Sequence, residues 1–364
     1  MIKKTALIVL FLTLCLALLP CGIFADEKDD YIDEGKRLID DLPQSARKYV
    51  DGTENFDAMS IFEVIKGVLS DTASYLKIPL RIFLVFAAVA VGSSAMLALG
   101  AGIKDNPLLK SNSLIFSAGA VASCGPVLVE CVRGGVAALE TVHSFSLSFV
   151  PLFTGLLVSC GEISKSLIFG SFTAIFSQVT SGFLQYMLTP FVGLMLGLSV
   201  VSAMGEGQIF EIISGIRKIT VWVTGLVTTI FFTVMSLQSF IGATGDTLTI
   251  KTGKLLVGSF VPIVGGSIAD AMSTVLSGMK IIKGTVGVVA IIALCALLLP
   301  QLICMLMCSF SLKASEIFCN MLGVHGLGTT ARSLSFCVEI CTALLSFRFV
   351  TFIFSVSVML TVSG

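Results

Sequence analysis

Charge is what this chain has least of: only 13% of its 364 residues are Asp, Glu, Lys or Arg, against 55% hydrophobic, with a mean hydropathy of +1.00. A soluble globular domain carries about 25% charged residues, so that class is excluded and the chain belongs in a bilayer. Histidine is almost absent, His143 and His325 being the whole supply. There is no H-E-x-x-H, and G-x-S-x-G fails at Gly265-Gly266-Ser267 because Ala269 stands at the last glycine, which leaves zinc and serine hydrolases without a site. No G-x-x-x-x-G-K-[ST] occurs, so a P-loop does not drive this protein and any energy comes from a partner or an ion gradient. Basic stripes interleaved with aromatics are missing too, which removes nucleic acid from the expected partners. No catalytic residue, metal ligand or cofactor is assigned, and the chain reads as a non-enzyme.

What charge there is concentrates near the start. Lys3 and Lys4 precede the apolar run Ala6 to Leu19, and Ala25 offers a small residue for cleavage before Asp26, the pattern of a signal peptide over 1–25. An uncleaved first span is the other reading, and both place residue 26 onward outside the cytoplasm. Cys21 stands where a lipoprotein cysteine would, but Pro20 replaces the small residue expected before it. Residues 26–77 hold 13 acidic and 7 basic side chains and form an acidic extracytoplasmic segment. Its later part, from the capping box Ser60-Ile-Phe-Glu63 through Ile61, Ile65, Val68 and Leu69, has helical spacing.

Residues 78–364 form the membrane body. Requiring about 20 apolar residues per crossing, the gaps between charges give spans at Ile82 to Ile103, Ser111 to Val129, Thr141 to Gly161, Ile219 to Gly245, Gly284 to Leu312 and Phe349 to Val362. Ser166 to Gly205 is uncharged for 40 residues, about 60 Å as one helix, and is expected to fold back near Thr189-Pro190 or around Gln178 to Gln185. The fold class is an all-α polytopic integral membrane protein with about eight (seven to nine) transmembrane helices. If every apolar run crosses once, Leu255 to Gly278 included, the loops with Lys104 and Lys110, Arg217 and Lys218, and Lys280 and Lys283 all fall inside, as the positive-inside rule asks.

The stretch SFVPIVGGSIADA, Ser259 to Ala271, interrupts that pattern. Pro262 and Gly265-Gly266 oppose a continuous helix, so a broken or re-entrant helix is expected near 259–271. Such breaks expose half-helix ends to a substrate or ion in transporters, and Asp270 then becomes a candidate for a polar path. A plain packing kink with Asp270 capping the next helix explains the same residues. A second SFVP at Ser148 to Pro151, again with a glycine four residues on at Gly155, hints at an internal duplication.

The remaining signals are weaker. Nine cysteines lie beyond residue 25, with Cys304 and Cys308, and Cys337 and Cys341, each four apart. Four thiolates at helical spacing can hold a metal, yet cysteine in apolar runs usually packs as a small hydrophobe, which is the reading adopted. Glu130 with Arg133 and Glu162 with Lys165 are three apart, so each pair shares a helix face and reads as an interfacial ion pair. Gly193-x-x-x-Gly197 permits close helix packing.

The run from Ser259 to Pro300 also resembles the stage III sporulation protein AE family of endospore-forming bacteria. The matching positions are Phe260, Val261, Pro262, Gly265, Gly266, Asp270, Ala271, Lys283 and Gly287, and the layout of signal, short polar segment and polytopic body is similar. The resemblance implies a membrane component of the channel or secretion-like complex between mother cell and forespore, needed for late forespore development. It implies partners that include a secretion-type ATPase and ring-forming membrane proteins, and a place in the mother-cell membrane surrounding the forespore. The residues alone also allow an autonomous secondary transporter, or a helical scaffold for partner membrane proteins.

Overall fold

The computed structural model describes the backbone of residues 77–100, 107–201, 207–260 and 265–361, together with Gly67. The expected signal peptide, and the helix expected around Ser60 to Leu69 apart from Gly67, lie outside the described residues. Six helices account for almost everything described: α1 Lys77–Gly100, α2 Pro107–Ser159, α3 Ile163–Val201, α4 Gly207–Phe260, α5 Gly265–Met321 and α6 His325–Thr361. Five stretches are long and apolar enough to cross a membrane, Lys77–Leu99, Asn112–Ser159, Phe210–Gly242, Thr274–Met321 and His325–Leu360, with a shorter apolar helix at Ile163–Ile175. The chain is a helical polytopic membrane protein, as its composition requires.

Among the described residues, fewer separate apolar helices stand out than the eight runs expected, because charges do not end helices here. Ser111 to Val129 and Thr141 to Ser159 belong to one 53-residue helix, with Gly161 in the turn that follows. Glu130, Arg133 and Glu140 between them lie on its exposed side, where Glu and Arg are good helix formers. Ser166 to Val201 likewise does not fold back: α3 is a single helical element of 39 residues. The two turns among the described residues are built on glycines with left-handed backbone, Gly161 (φ 79°) and Gly323 (φ 76°). At each, paired amides satisfy the last carbonyls of the preceding helix: Gly161 and Glu162 donate to Val158 and Leu157, and Gly323 and Val324 to Asn320 and Cys319. That arrangement is the Schellman end of a helix, for which glycine is the favoured residue.

Side-chain contacts set the register. Lys283 meets Glu162 and the Met359 carbonyl, while Lys313 meets Glu339, so α5 runs antiparallel to α6. Arg217 also pairs with Glu339, and Arg332 with Glu316 at 3.2 Å. Both guanidiniums lie over phenyl rings, Arg217 over Phe336 at 4.6 Å and Arg332 over Phe210 at 5.3 Å. Two ionic layers result, one around Lys283 and one around Glu339. Thirty residues of α5 separate Lys283 from Lys313, about 45 Å of helix, close to a bilayer with its headgroups. Arg217 and Lys283 therefore stand at opposite ends of α5's apolar stretch, and the expectation that both face the cytoplasm fails. Hydropathy counts charges along the chain but does not see which layer each one joins.

Both ends of the bundle overrun these layers. α4 continues 18 residues past Gly242 to Phe260, and α5 begins 18 residues before Lys283 at Gly265, so the two form a helical hairpin reaching about 27 Å further. At the opposite end Phe83 packs on Phe318, and Ser311 donates to the Pro79 carbonyl. α1 therefore runs parallel to α5 and continues past its end. Between the layers, Phe149, Phe153, Phe169 and Phe352 pack as one aromatic cluster with neighbouring centroids 5.0 to 6.3 Å apart.

Gly135 shows how closely the helices approach. A Cβ there would collide with the Met305 methyl and come within 3.1 Å of Leu345 Cδ1. Gly135→Val is expected to destabilise the bundle by about 2 kcal/mol through overpacking, with Met305→Ala recovering most of the loss. Thermal unfolding of both variants in detergent measures it; independent effects of the two substitutions would show that α2 does not touch α5 here.

Candidate functional site

The most heavily charged buried point lies where α2 turns into α3. The turn at Gly161 delivers Glu162 to the start of α3, where its carbonyl accepts the first helical bond from Ser166 and where a carboxylate is favoured by the helix dipole. Lys165, one turn on, approaches Glu162 Oε2 at 3.3 Å. From α5, Lys283 Nζ donates to both carboxylate oxygens at 3.1 and 2.9 Å and to the Met359 carbonyl of α6 at 3.3 Å. Glu162, Lys165 and Lys283 are each no more than 3% exposed.

Glycines let the other helices close over this cluster. A Cβ on Gly287, one turn from Lys283, would lie 2.8 Å from the Leu360 methyls, and one on Gly242 of α4 would lie 3.2 Å from Ile168 and 3.6 Å from Lys165 Cγ. Four helices and one turn thus converge on three charges. Ions taken out of water cost several kcal/mol each unless their partners are well placed, and a buried cluster of this kind is a functional-site candidate.

A polar ladder leaves the cluster along α6. Met359, Ser355, Thr351 and Arg348 succeed one another at three- and four-residue spacing and share a face. Ser355 bonds Thr173 of α3 at 3.1 Å, and Arg348 Nη2 donates to Ser146 of α2 at 3.0 Å. Arg348, Thr351, Ser355, Thr173 and Ser146 are all buried. The ladder covers about 16 Å beside the phenylalanine cluster. Ammonium, guanidinium, hydroxyls and one carboxylate can hold helices in register or carry charge. Nucleophile and general base do not meet within it.

The residues singled out from the sequence fall elsewhere. Gly265, Gly266 and Asp270 make the first two turns of α5, and Pro262 lies outside the described residues. Asp270 is inside the helix rather than at its N-cap. It is 13 residues from Lys283, about 20 Å along α5, so the structure does not bring it to the buried cluster. Of the interruption expected near 259–271, the described residues show one helix ending at Phe260 and the next beginning at Gly265. On α3, Gly197 is exposed and a Cβ there would meet nothing within 4 Å; Gly193 is helical. Glu162 and Lys165 do pair as their spacing predicts, but in the interior. Their partner Lys283 was legible only as a member of Lys-x-x-x-Gly, whose lysine and glycine now have physical tasks: one binds the turn, the other admits Leu360.

Comparison with known proteins agrees with the sequence motif. Residues 45–363 match the family described as stage III sporulation protein AE. Over 226 residues the chain is 30% identical to stage III sporulation protein AE of Bacillus subtilis (strain 168), covering 62% of this chain and 56% of that protein. The aligned part thus spans little more than half of the relative's length. No solved structure matches.

Glu162→Gln leaves two buried ammoniums facing an amide and is expected to destabilise the protein by about 3 to 5 kcal/mol. Pairing it with Lys283→Met should restore a large part of that loss. A double-mutant cycle by thermal unfolding in detergent checks this, and additive effects would mean that the two side chains are not coupled.

Proposed function

We propose that this chain, which belongs to the stage III sporulation protein AE family and is a sporulation membrane protein, is the platform subunit of a multiprotein channel or secretion-like complex between mother cell and forespore. On this reading it is not an enzyme. It sits in the mother-cell membrane surrounding the forespore and gathers ring-forming membrane proteins and a secretion-type ATPase.

The observation that carries the reading is the outer side of α2. Glu130, Arg133 and Glu140 are all exposed there, and Glu130 and Arg133 line a groove of about 710 Å³ with Val121, Gly125, Pro126 and Val129. Glu140 precedes Glu162 by 22 residues, about 33 Å, which sets it between the two ionic layers. Arg133 and Glu130, about 44 and 48 Å from Glu162 by the same measure, stand level with the second layer, so Glu140 is the one of the three set against hydrocarbon, which does not tolerate a carboxylate facing it; this side of α2 therefore needs another protein chain or water against it. A subunit of a larger assembly meets that need. The protruding hairpin supports the same reading: helix ends about 27 Å beyond the ionic layer are placed to meet a partner, and Gly265, Gly266 and Asp270 belong to that contact.

The polar ladder from Lys283 to Arg348 favours the alternative of an autonomous transporter, because buried ionisable groups mark ion paths in such proteins. Vesicles containing this protein alone would then show uptake.

In a host strain lacking the gene, heat-resistant spores should be lost and microscopy should show forespores that are engulfed and then fail. Normal spore numbers would overturn the reading. Restoring the gene with Glu140→Leu should leave the protein in the membrane at wild-type level while lowering spore counts about tenfold or more. Gly265→Leu should do the same, whereas Asp270→Asn is tolerated if the tip docks a partner and not if Asp270 carries charge.

A further inference from the structure

We propose that Cys131 of α2 with Cys304 and Cys308 of α5 form a binding site for a thiophilic d10 metal ion, Zn2+ or Cu+, that clips the two helices together. This does not depend on the proposed function. Cys131 Sγ lies 3.9 Å from both Cys304 Sγ and Cys308 Sγ, and the three sulfurs all lie within 4.8 Å of one another. With a metal–sulfur bond of about 2.3 Å, two thiolates on one ion sit about 3.8 Å apart in a tetrahedral site and about 4.0 Å in a trigonal one. The two closest separations match that span without movement.

The fit has a visible cause. Cys304 and Cys308 are one helical turn apart and face the same way, while Cys131 comes from a helix 173 residues away in sequence. Gln301 Nε2 donates to the Cys131 carbonyl at 2.8 Å. Gly134 and Gly135 offer no side chain to hold α2 off, so Gln301 and Met305 pack directly on its backbone. The three thiols are buried, between 0 and 6% exposed, and the Met305 thioether beside them is fully buried as well. Sulfur donors in this setting select Cu+ and Zn2+ over harder ions.

Charge also balances. Zn2+ with two thiolates and one thiol is neutral, as is Cu+ with one thiolate and two thiols, and the displaced protons pass to solvent. Neutrality suits a site whose immediate neighbours are apolar helices. A disulfide is the competing use of close cysteines, but it needs sulfurs about 2.05 Å apart and an oxidant. The observed 3.9 Å spacing is nearly twice that distance.

The test uses the full chain purified in detergent with reductant, stripped with chelator, then titrated separately with Zn2+, with Cu+ under anaerobic conditions, and with Cd2+ as a spectroscopic probe. We expect about one ion per chain and a thiolate-to-cadmium charge-transfer band. Both should fall at least tenfold in Cys131→Ser and Cys308→Ser and persist in Cys295→Ser, a buried cysteine of the same helix outside the trio. Stoichiometric uptake of one metal and not the other names the ion. Because serine variants can misfold, maleimide labelling of unmutated protein is read by mass spectrometry as well: bound metal should slow modification of Cys131 and Cys304 about tenfold relative to stripped protein. Failure of the stripped protein to bind either metal, equal loss in Cys295→Ser, or labelling indifferent to metal would each overturn the proposal.

Discussion

A carboxylate on the turn between α2 and α3 finds its countercharge 121 residues away on α5, and the rest of the bundle is arranged around that contact. Neither Glu162 nor Lys283 can be buried alone at tolerable cost. Once they meet, the turn at Gly161 has one position against α5. The same ammonium reaches the Met359 carbonyl, so α6 is placed by the same atom that places the turn. Gly287 and Gly242 then decide how near the flanking backbones come. Packing among apolar side chains is not selective enough to do this: Leu, Val, Ile and Phe recur along every helix, and one register of such helices differs little from the next. A charge pair has one satisfactory partner.

The second ionic layer does the corresponding work at the other end of α5's apolar stretch. Glu339 answers both Arg217 and Lys313, so α4, α5 and α6 are tied together there. With ionic ties at both levels and few charged side chains in the interior between, the central bundle resembles a section cut to bilayer thickness. The helices themselves are longer than that section. Their extensions, the α4–α5 hairpin at one end and α1 with the start of α2 at the other, give a membrane protein surfaces away from its own core. The exposed charges on α2 add a third such surface. On the proposed reading, these are the faces that would meet partners.

Much of this was legible in the residues, though unevenly. The helical class followed from composition, and the spans at Phe210–Gly242, Thr274–Met321 and His325–Leu360 were each anticipated in part by uncharged runs. Glu162 with Lys165 was visible as a pair at helical spacing. Lys283 and Gly287 were visible as a motif, without any indication of what they touched. Missed were the continuity of α2 through Glu130, Arg133 and Glu140, the continuity of α3, and the location of Arg217 and Lys283 in different layers. Those errors share a source. Treating each charge as a boundary assumes that a helix ends where its hydrophobicity does, whereas charged residues with good helix propensity continue a helix and turn outward. The cysteines show the same limit, since four-residue spacing paired Cys304 with Cys308 but gave no sign of Cys131.

What the sequence determined by itself is therefore the one-dimensional part of the protein: membrane residence, helical structure, and the motif that announces the family. These depend on composition and on spacings of three or four residues, which a linear chain displays openly. Which charge answers which, which thiols meet, and which face of each helix is left uncovered were decided only when the helices packed together, several of them more than a hundred residues apart. Countercharge and contact are properties of distance in space, and along this chain the decisive distances are closed by folding alone.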